Sequence, residues 1–239
     1  MSKERKKLSP GTLAAPIPPA MVTVGDYENA NIITIAWTGI LATQPPKTYI
    51  SVRPTRHSYG MLKERGEFVI NLPSVSLARV VDYVGIYTGA KVDKWQKCSL
   101  TKQKSDKVAP PTIAECPIAL ECRVSEVLPM GSHDVFIADI VGVSCHTDII
   151  DNEGKMRFER ADLLAYAHGE YYSLGEIVGR FGFSTDKPKK GDKTNKNQEK
   201  TGIKVEKKPF YESAPRGKTV KKKPTDKNKG APHGRRAKK

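Results

Sequence analysis

The feature that most constrains this chain is a succession of short apolar runs, each cut off by turn residues before it reaches helical length. "AMVTVG" (20–25), "NIITIAW" (31–37), "KTYISVR" (47–53) and "EFVINL" (67–72) are rich in Val, Ile, Thr, Tyr and Phe. Such residues favour strands, where branched and aromatic side chains pack well on a pleated surface. The polar stretch "DYENA" between the first two runs suits a hairpin. "TGILATQPP", between the next two, carries prolines that forbid a continuous strand and send the chain around a corner. Two longer runs, "IALECRVSEVL" (118–128) and "HDVFIADIVGVSC" (133–145), joined through Pro129, Gly131 and Ser132, read as an antiparallel pair. After the turn "DNEG" (151–154), "KMRFE" reads as a last strand.

The spacing becomes helical only between Val75 and Trp95, where Leu77, Val80, Val81 and Val84 fall on one side and Gly85 and Gly89 interrupt the pattern. Residues 98–112 read as a polar, Lys- and Pro-bearing loop. Six or seven short strands with tight connections and one helical excursion predict an antiparallel barrel. A parallel sheet would need a helix after nearly every strand.

Charge divides the chain. Of the net +15, residues 184–239 carry +14, from 20 Lys+Arg against 6 Asp+Glu, and residues 1–183 carry +1, from 21 against 20. The last stretch is Lys-, Pro-, Gly-, Asn- and Thr-rich and nearly free of large apolar residues, so it reads as a disordered basic tail. The expected organisation is a lead-in at 1–14, one folded domain at 15–183 and the tail at 184–239. The tail suits a solvated extension without a specific partner, an acidic protein partner, or non-specific RNA or DNA contact. It lacks the interleaved aromatics that stack on bases.

Cys98, Cys116, Cys122 and Cys145 show no metal-ligand spacing and read as free thiols, with no metal site expected. Pro10, Pro16, Pro18 and Pro19 break any signal-peptide hydrophobic region, and no run reaches the roughly 20 apolar residues of a membrane span. A soluble, cytoplasmic protein is the expectation.

One turn carries chemistry. If "KTYISVR" is a strand and "SYGMLKERG" a helix, "RPTRHS" (53–58) lies where the strand feeds the helix, with Thr55 or Ser58 as cap and Gly66 as stop. Arg53, Arg56, His57, Thr55 and Ser58 there add donors to the free N–H groups of a helix N-terminus, which suits a phosphate. The same residues also suit an ordinary capped helix whose arginines face water. No P-loop or Rossmann fingerprint is present. Trp95, Tyr171 and Tyr172 read as packing residues.

Taken in order, "NIITIAWTGILATQPPKTYISVRPTRHSYGMLKERGEFVINLPS", "DYVGIYTGAKVDKW" (82–95), "GSHDVFIADIVGV" (131–143) and "GEYYSLGEIVG" (169–179) resemble the flavin reductase-like family, which includes flavoredoxins. The resemblance implies a mainly β fold, a six-stranded antiparallel FMN-binding split barrel with a few short helices, usually a homodimer. It implies that Thr34, Ala36, Trp37 and Thr38 lie by the isoalloxazine, and that Ser51, Val52, Arg53, Pro54 and Thr55 follow the ribityl chain. Arg56, His57 and Ser58 would grip the phosphate, Asn71 would add a contact, and Thr88, Gly89 and Lys91 would approach the ring. His133, the candidate catalytic residue, would sit on the nicotinamide side; by itself it reads as a strand-start residue bonded to its own turn. The implied function is a flavin-dependent oxidoreductase passing electrons from NAD(P)H or a protein donor through FMN to a flavin or protein acceptor. The alternatives are a flavoredoxin-type carrier without its own NAD(P)H site, and a nucleic-acid-associated protein acting through the tail.

Overall fold

The computed structural model describes residues 3–185; the tail expected from residue 184 lies, from residue 186 on, outside the described residues. The strands and α-helices all fall in the unit that ends at Val178. In chain order they are β1 (Ala20–Val24), β2 (Asn31–Ile35), β3 (Thr38–Thr43), β4 (Pro46–Val52), α1 (His57–Arg65), β5 (Glu67–Leu72), α2 (Ala78–Ile86) and α3 (Lys94–Lys97). There follow β6 (Lys102–Gln103), β7 (Thr112–Ile113), β8 (Ile118–Pro129), β9 (Asp134–Cys145), β10 (Leu164–Ala167) and β11 (Glu170–Ser173).

Seven strands form one antiparallel sheet in the order β2-β1-β5-β8-β9-β4-β3. Its two edge strands, β2 and β3, are neighbours in sequence, separated only by Ala36 and Trp37. A flat sheet of seven strands spaced about 4.8 Å apart could not place its first and last strands two residues apart. The sheet therefore curls until its edges approach, and Ser51 N of β4 donates to Trp37 O, in the link between the edge strands, at 3.0 Å. The mainly β split barrel expected from the sequence is thus what the strands build, with one strand more than the expected six. The extra one is β3, in "TGILAT": Pro45 lies in the turn after it and Pro46 is the first residue of β4, positions where no ladder N–H is required.

Alternate strand residues fill the barrel. Val22, Val24, Ile33, Ile35, Ile50, Val52, Phe68, Ile70, Cys122 and Phe136 point inward and are almost wholly buried, and Leu62 of α1 closes one end. A second cluster packs outside, where Val81 and Val84 of α2 and Trp95 of α3 cover Met21 and Ile32. β1 is consequently buried on both faces along its whole length. Trp95 is a packing residue, as expected; Tyr171 packs beside the same outer cluster, but Tyr172 is 47% exposed.

Two expectations need correction. The helical pattern between Val75 and Trp95 is interrupted as expected, but not at Gly85: after a 3-10 turn at Val75–Leu77, α2 runs through Gly85 to Ile86, the chain is extended at Tyr87, and α3 starts at Lys94. "KMRFE" is not a strand. Asp151 Oδ1 accepts from Glu153 N and Lys155 N, Arg157 N donates to Ile149 O at 2.7 Å, and this tight loop leaves Met156 a lone bridge to Ile150. The last hairpin is β10–β11. All four cysteines are free, and burial pushes the Cys122 thiol up to about 12.

Asn71 is fully buried on β5. Its Nδ2 donates to Met21 O at 3.0 Å and its Oδ1 accepts from Ile113 N at 2.9 Å, so one amide ties β1 to β7. Asn71→Ala leaves a carbonyl and an N–H unpaired, at roughly 1–3 kcal/mol each. We expect the urea midpoint to fall with the m-value unchanged, and an unmoved midpoint would count against the clamp.

Candidate functional site

The opening of the barrel is set by α1. Arg56 precedes the helix in extended conformation (φ −76°, ψ 138°), with no side chain capping the first turn. The expected cap by Thr55 or Ser58 is therefore not made: Ser58, 1% exposed, accepts a hydrogen bond from Asn31 Nδ2 at 2.8 Å, and Thr55 is exposed. Gly66 ends the helix as expected, at φ +65°, its N–H bonded to Leu62 O. The start of α1 borders a hollow of ≈ 90 Å³ whose wall includes Thr55, Arg56, His57, Ser58, Thr88 and Gly89.

A second hollow, of ≈ 190 Å³, adjoins it, and both share Ile33 and Arg56. This one lies at the seam between β2 and the end of β4. Ile33, Ile35, Ala36, Trp37 and Val52 give it an apolar wall; Ser51, Arg53 and His133 give it a polar rim. Trp37, 40% exposed, stands against His133 with ring centroids 4.6 Å apart. Arg53 Nε donates to His133 Nε2 at 3.3 Å, which puts the imidazole proton on Nδ1, 2.9 Å from Ser132 Oγ. Partial burial, then Arg53 and Arg56, hold the His133 pKa below its usual value. The backbone of His133 also closes its own turn, its C=O accepting from Met130 N.

The floor of the first hollow holds a residue that sequence reading missed. Lys94 is 4% exposed, and its Nζ donates to Ile32 O at 2.7 Å and Val84 O at 2.8 Å, leaving one of its three N–H donors for the hollow. Burial, followed by the nearby Arg56 charge, pushes its pKa down to about 8. The sequence signals only the helix start in "DKW", where Asp93 caps α3 by accepting from Trp95 N and Gln96 N; the inward turn of Lys94 comes from its bonds to Ile32 O and Val84 O. The two hollows thus gather Arg53, Arg56, Lys94 and two histidines, and no carboxylate lines either one. Uncompensated cations around a helix N-terminus form an anion site.

Other sequence candidates lie elsewhere. Pro54 is exposed in the turn between the two hollows. Thr34 Oγ1 donates to Val81 O and Thr38 Oγ1 to Tyr49 O, each at 2.6 Å, so both hydroxyls tie elements together and neither lines the hollows. Asn71 is the buried clamp described above and does not join the site. Lys91 lines a further cavity beyond the first hollow. Among the described residues no group of three or more His, Cys, Asp or Glu could hold a metal ion, and no helix is long and apolar enough to cross a membrane.

Together, the curled sheet and its cation-lined seam define a split barrel built to hold an anionic ligand. A match of residues 13–175 to the model of the flavin reductase like domain carries this further, and the chain belongs to that family. It is 36% identical over 121 residues to an uncharacterized protein of Archaeoglobus fulgidus, covering 51% of this chain and 68% of that one. The fold superposes on flavoredoxin of Desulfovibrio vulgaris with a TM-score of 0.72 and 31% identity, over 77% of this chain and all of the other. An NADPH-flavin oxidoreductase of Streptomyces viridifaciens is 24% identical over 124 residues, covering 51% of this chain and 63% of that protein.

A Cβ added at Gly89 would lie 2.2–2.8 Å from the Asn31 side-chain amide, displacing it from Ser58. One added at Gly60, on the exposed side of α1, would meet nothing within 4 Å. We expect Gly89→Ala to move the Asn31 amide resonances and to destabilise by about 1 kcal/mol or more. Gly60→Ala should leave them in place and stabilise by roughly 0.5–1 kcal/mol.

Proposed function

We propose that the protein is an FMN-holding oxidoreductase that passes electrons from NAD(P)H or a protein donor through bound FMN to a flavin or protein acceptor. The observation that carries this reading is the excess of cations over carboxylates at the open N-terminus of α1. Arg56, the spare N–H of Lys94, the hydroxyl of Thr55 and the first N–H groups of α1 would hold the phosphate. Ser51 and Arg53 would lie along the ribityl chain, and Ala36, Trp37 and Val52 would face the ring in the apolar hollow.

Bound flavin supplies hydride or electron transfer, and the protein supplies position and electrostatics. Here the chain's own part is modest. Trp37 and His133 stand at the mouth of the apolar hollow and limit water there. The His133 imidazole, its Nε2 accepting from Arg53 and its Nδ1 beside Ser132 Oγ, is fixed against Trp37, while the two arginines favour negative charge beside it. The likeness to flavoredoxin favours a second reading, a carrier reduced by another protein. Anaerobic mixing separates the two: rapid bleaching by NADPH alone supports a reductase, and bleaching only with a protein donor supports a carrier. Ile40 and Leu41, 64% and 51% exposed on edge strand β3, are in keeping with pairing of two copies.

We expect the purified protein, or the protein incubated with FMN, to show oxidised-flavin absorption in the near ultraviolet and blue. A protein that takes up no FMN would defeat the proposal. Replacing Arg56 and Ser58 together by Ala should weaken FMN binding about 10- to 100-fold, from loss of a charge-assisted contact of ~1.5–3 kcal/mol. Affinity should also depend on pH. Lys94 in the unliganded protein loses its proton near pH 8, whereas the phosphate monoester, with its second pKa near 6, stays dianionic. Binding favours the charged amine and the dianionic phosphate, so FMN affinity should be highest between about pH 6 and 8 and fall as pH rises above 8. Lys94→Met should flatten that fall; the same pH slope in the variant would remove Lys94 from the phosphate site.

A further inference from the structure

A cavity of ≈ 330 Å³ adjoins the apolar hollow and has no part in the flavin reading. Its walls are the N-terminal stretch 12–17, the β10–β11 hairpin and Trp37. Two backbone bonds build it: Ile17 N donates to Tyr166 O at 3.0 Å and Tyr166 N to Ile17 O at 2.9 Å, which lays the N-terminal stretch along β10. The hairpin turns at His168 and Gly169, both at positive φ (+49° and +100°), and this two-residue turn places His168 in the cavity wall.

Its chemistry is unlike that of the two cationic hollows. Among the described residues no Lys, Arg, Asp or Glu lines it. Leu13, Ile17, Trp37 and two alanines make it mostly apolar, and neither the Tyr166 hydroxyl nor the His168 imidazole has a hydrogen-bond partner among the described residues. A dinucleotide brings at least two negative charges, and this cavity has no cation to meet them. Its volume lies at the small end of the roughly 300–1,000 Å³ of ligand sites. The occupant that fits is therefore small, uncharged and mostly apolar, with an oxygen that accepts a hydrogen bond. Position narrows the choice further. Trp37 is the one residue that lines both this cavity and the apolar hollow, so a molecule here meets the space assigned to the flavin ring only across Trp37. Hydride transfer needs the reacting atoms about 3–3.5 Å apart and cannot cross an intervening side chain. Single electrons can.

We infer that this cavity binds a quinone, which takes up the electrons that the flavin site delivers. The redox role rests on the proposed flavin site; the binding site rests on the cavity alone. A quinone is planar, uncharged and apolar, and can stack on the Trp37 indole. Its carbonyl oxygens can accept from the Tyr166 hydroxyl and from a ring N–H of His168. Reduction adds two electrons, taken singly, and two protons, which turn both C=O groups into C–O–H. The electrons come from the reduced flavin, leaving it oxidised, and the protons from water, one of them by way of His168.

Calorimetric titration of the full-length protein with tetramethyl-1,4-benzoquinone tests the site without flavin. Methyl groups occupy every ring position at which the four free thiols could add. We expect the unaltered protein to bind it and Leu13→Glu, on the exposed N-terminal stretch, to weaken binding about tenfold or more by setting a charge in the apolar wall. His168→Asn, which keeps a residue tolerant of positive φ in the turn, should weaken it about two- to tenfold through loss of one hydrogen bond. FMN affinity should be the same in both variants. No binding by the unaltered protein, or binding that neither substitution weakens, would overturn the site. Displacement of the quinone by NADPH, with NADPH affinity itself lowered by Leu13→Glu, would overturn it too, by giving the cavity to the nicotinamide nucleotide. In FMN-loaded protein reduced under anaerobic conditions, Leu13→Glu should slow reoxidation by subsaturating quinone about tenfold, and an unchanged rate would remove the acceptor role. A protein that binds the quinone but takes up no FMN would instead defeat the flavin reading and leave the binding site in place.

Discussion

Two residues, Ala36 and Trp37, constrain the rest of this structure. They join the outermost strands of a seven-stranded sheet, and the chain can satisfy that link only by rolling the sheet on itself. Closure is incomplete: β2 and β3 stay at opposite edges of the sheet order and do not pair with each other. The interior of the barrel is sealed by Phe68, Phe136 and their neighbours, so the unclosed seam is where a ligand can meet backbone and side chains together. Fold and site therefore have one cause. A sheet that closed fully would satisfy its own edges and offer no such groove.

The seam is also where the electrostatics are least balanced. Elsewhere cations find partners, as in Lys47 with Asp139 or Arg65 with Asp26. At the N-terminal end of α1, Arg53, Arg56 and Lys94 have no carboxylate partner among the described residues, and Lys94 keeps its amine buried against two carbonyls at the cost of a depressed pKa. A lone buried cation is unfavourable unless something compensates it. Such an arrangement leaves the unliganded protein less stable than it could be and reserves the missing interaction for an anion.

Much of this was legible in the sequence because strand residues and turn residues alternate plainly. The hairpins, the long β8–β9 pair and the turn at 53–58 all follow from local composition. β3 was hidden because prolines near a strand read as breaks, although here they sit in its turn and at the first position of β4. "KMRFE" (155–159) reads as a strand because Met156 is apolar, but Met156 packs against a small cluster around Ile149 instead of joining a ladder. At the site, residues of the turn itself could be read directly. Lys94 could not, since a lysine in a polar segment reads as exposed, and only the tertiary packing of α3 against β2 turns it inward. Thr34, Thr38 and Asn71 show the converse: polar residues on apolar strands suggest ligands, yet their partners are the protein's own carbonyls and N–H groups.

β1 illustrates a further consequence of that packing. Strand register is ordinarily fixed because a slip by one residue exchanges the buried and solvated faces. In "AMVTV" both faces are buried, one in the barrel and one under α2 and α3, so apolar pattern alone distinguishes the two registers poorly. Directional contacts make the choice instead. Thr23 Oγ1 donates to Pro111 O at 2.6 Å, and Asn71 reaches the carbonyl of Met21; both would be lost in the slipped alignment. The polar atoms in the middle of this protein act as an index mark, telling an otherwise ambiguous strand where to stop.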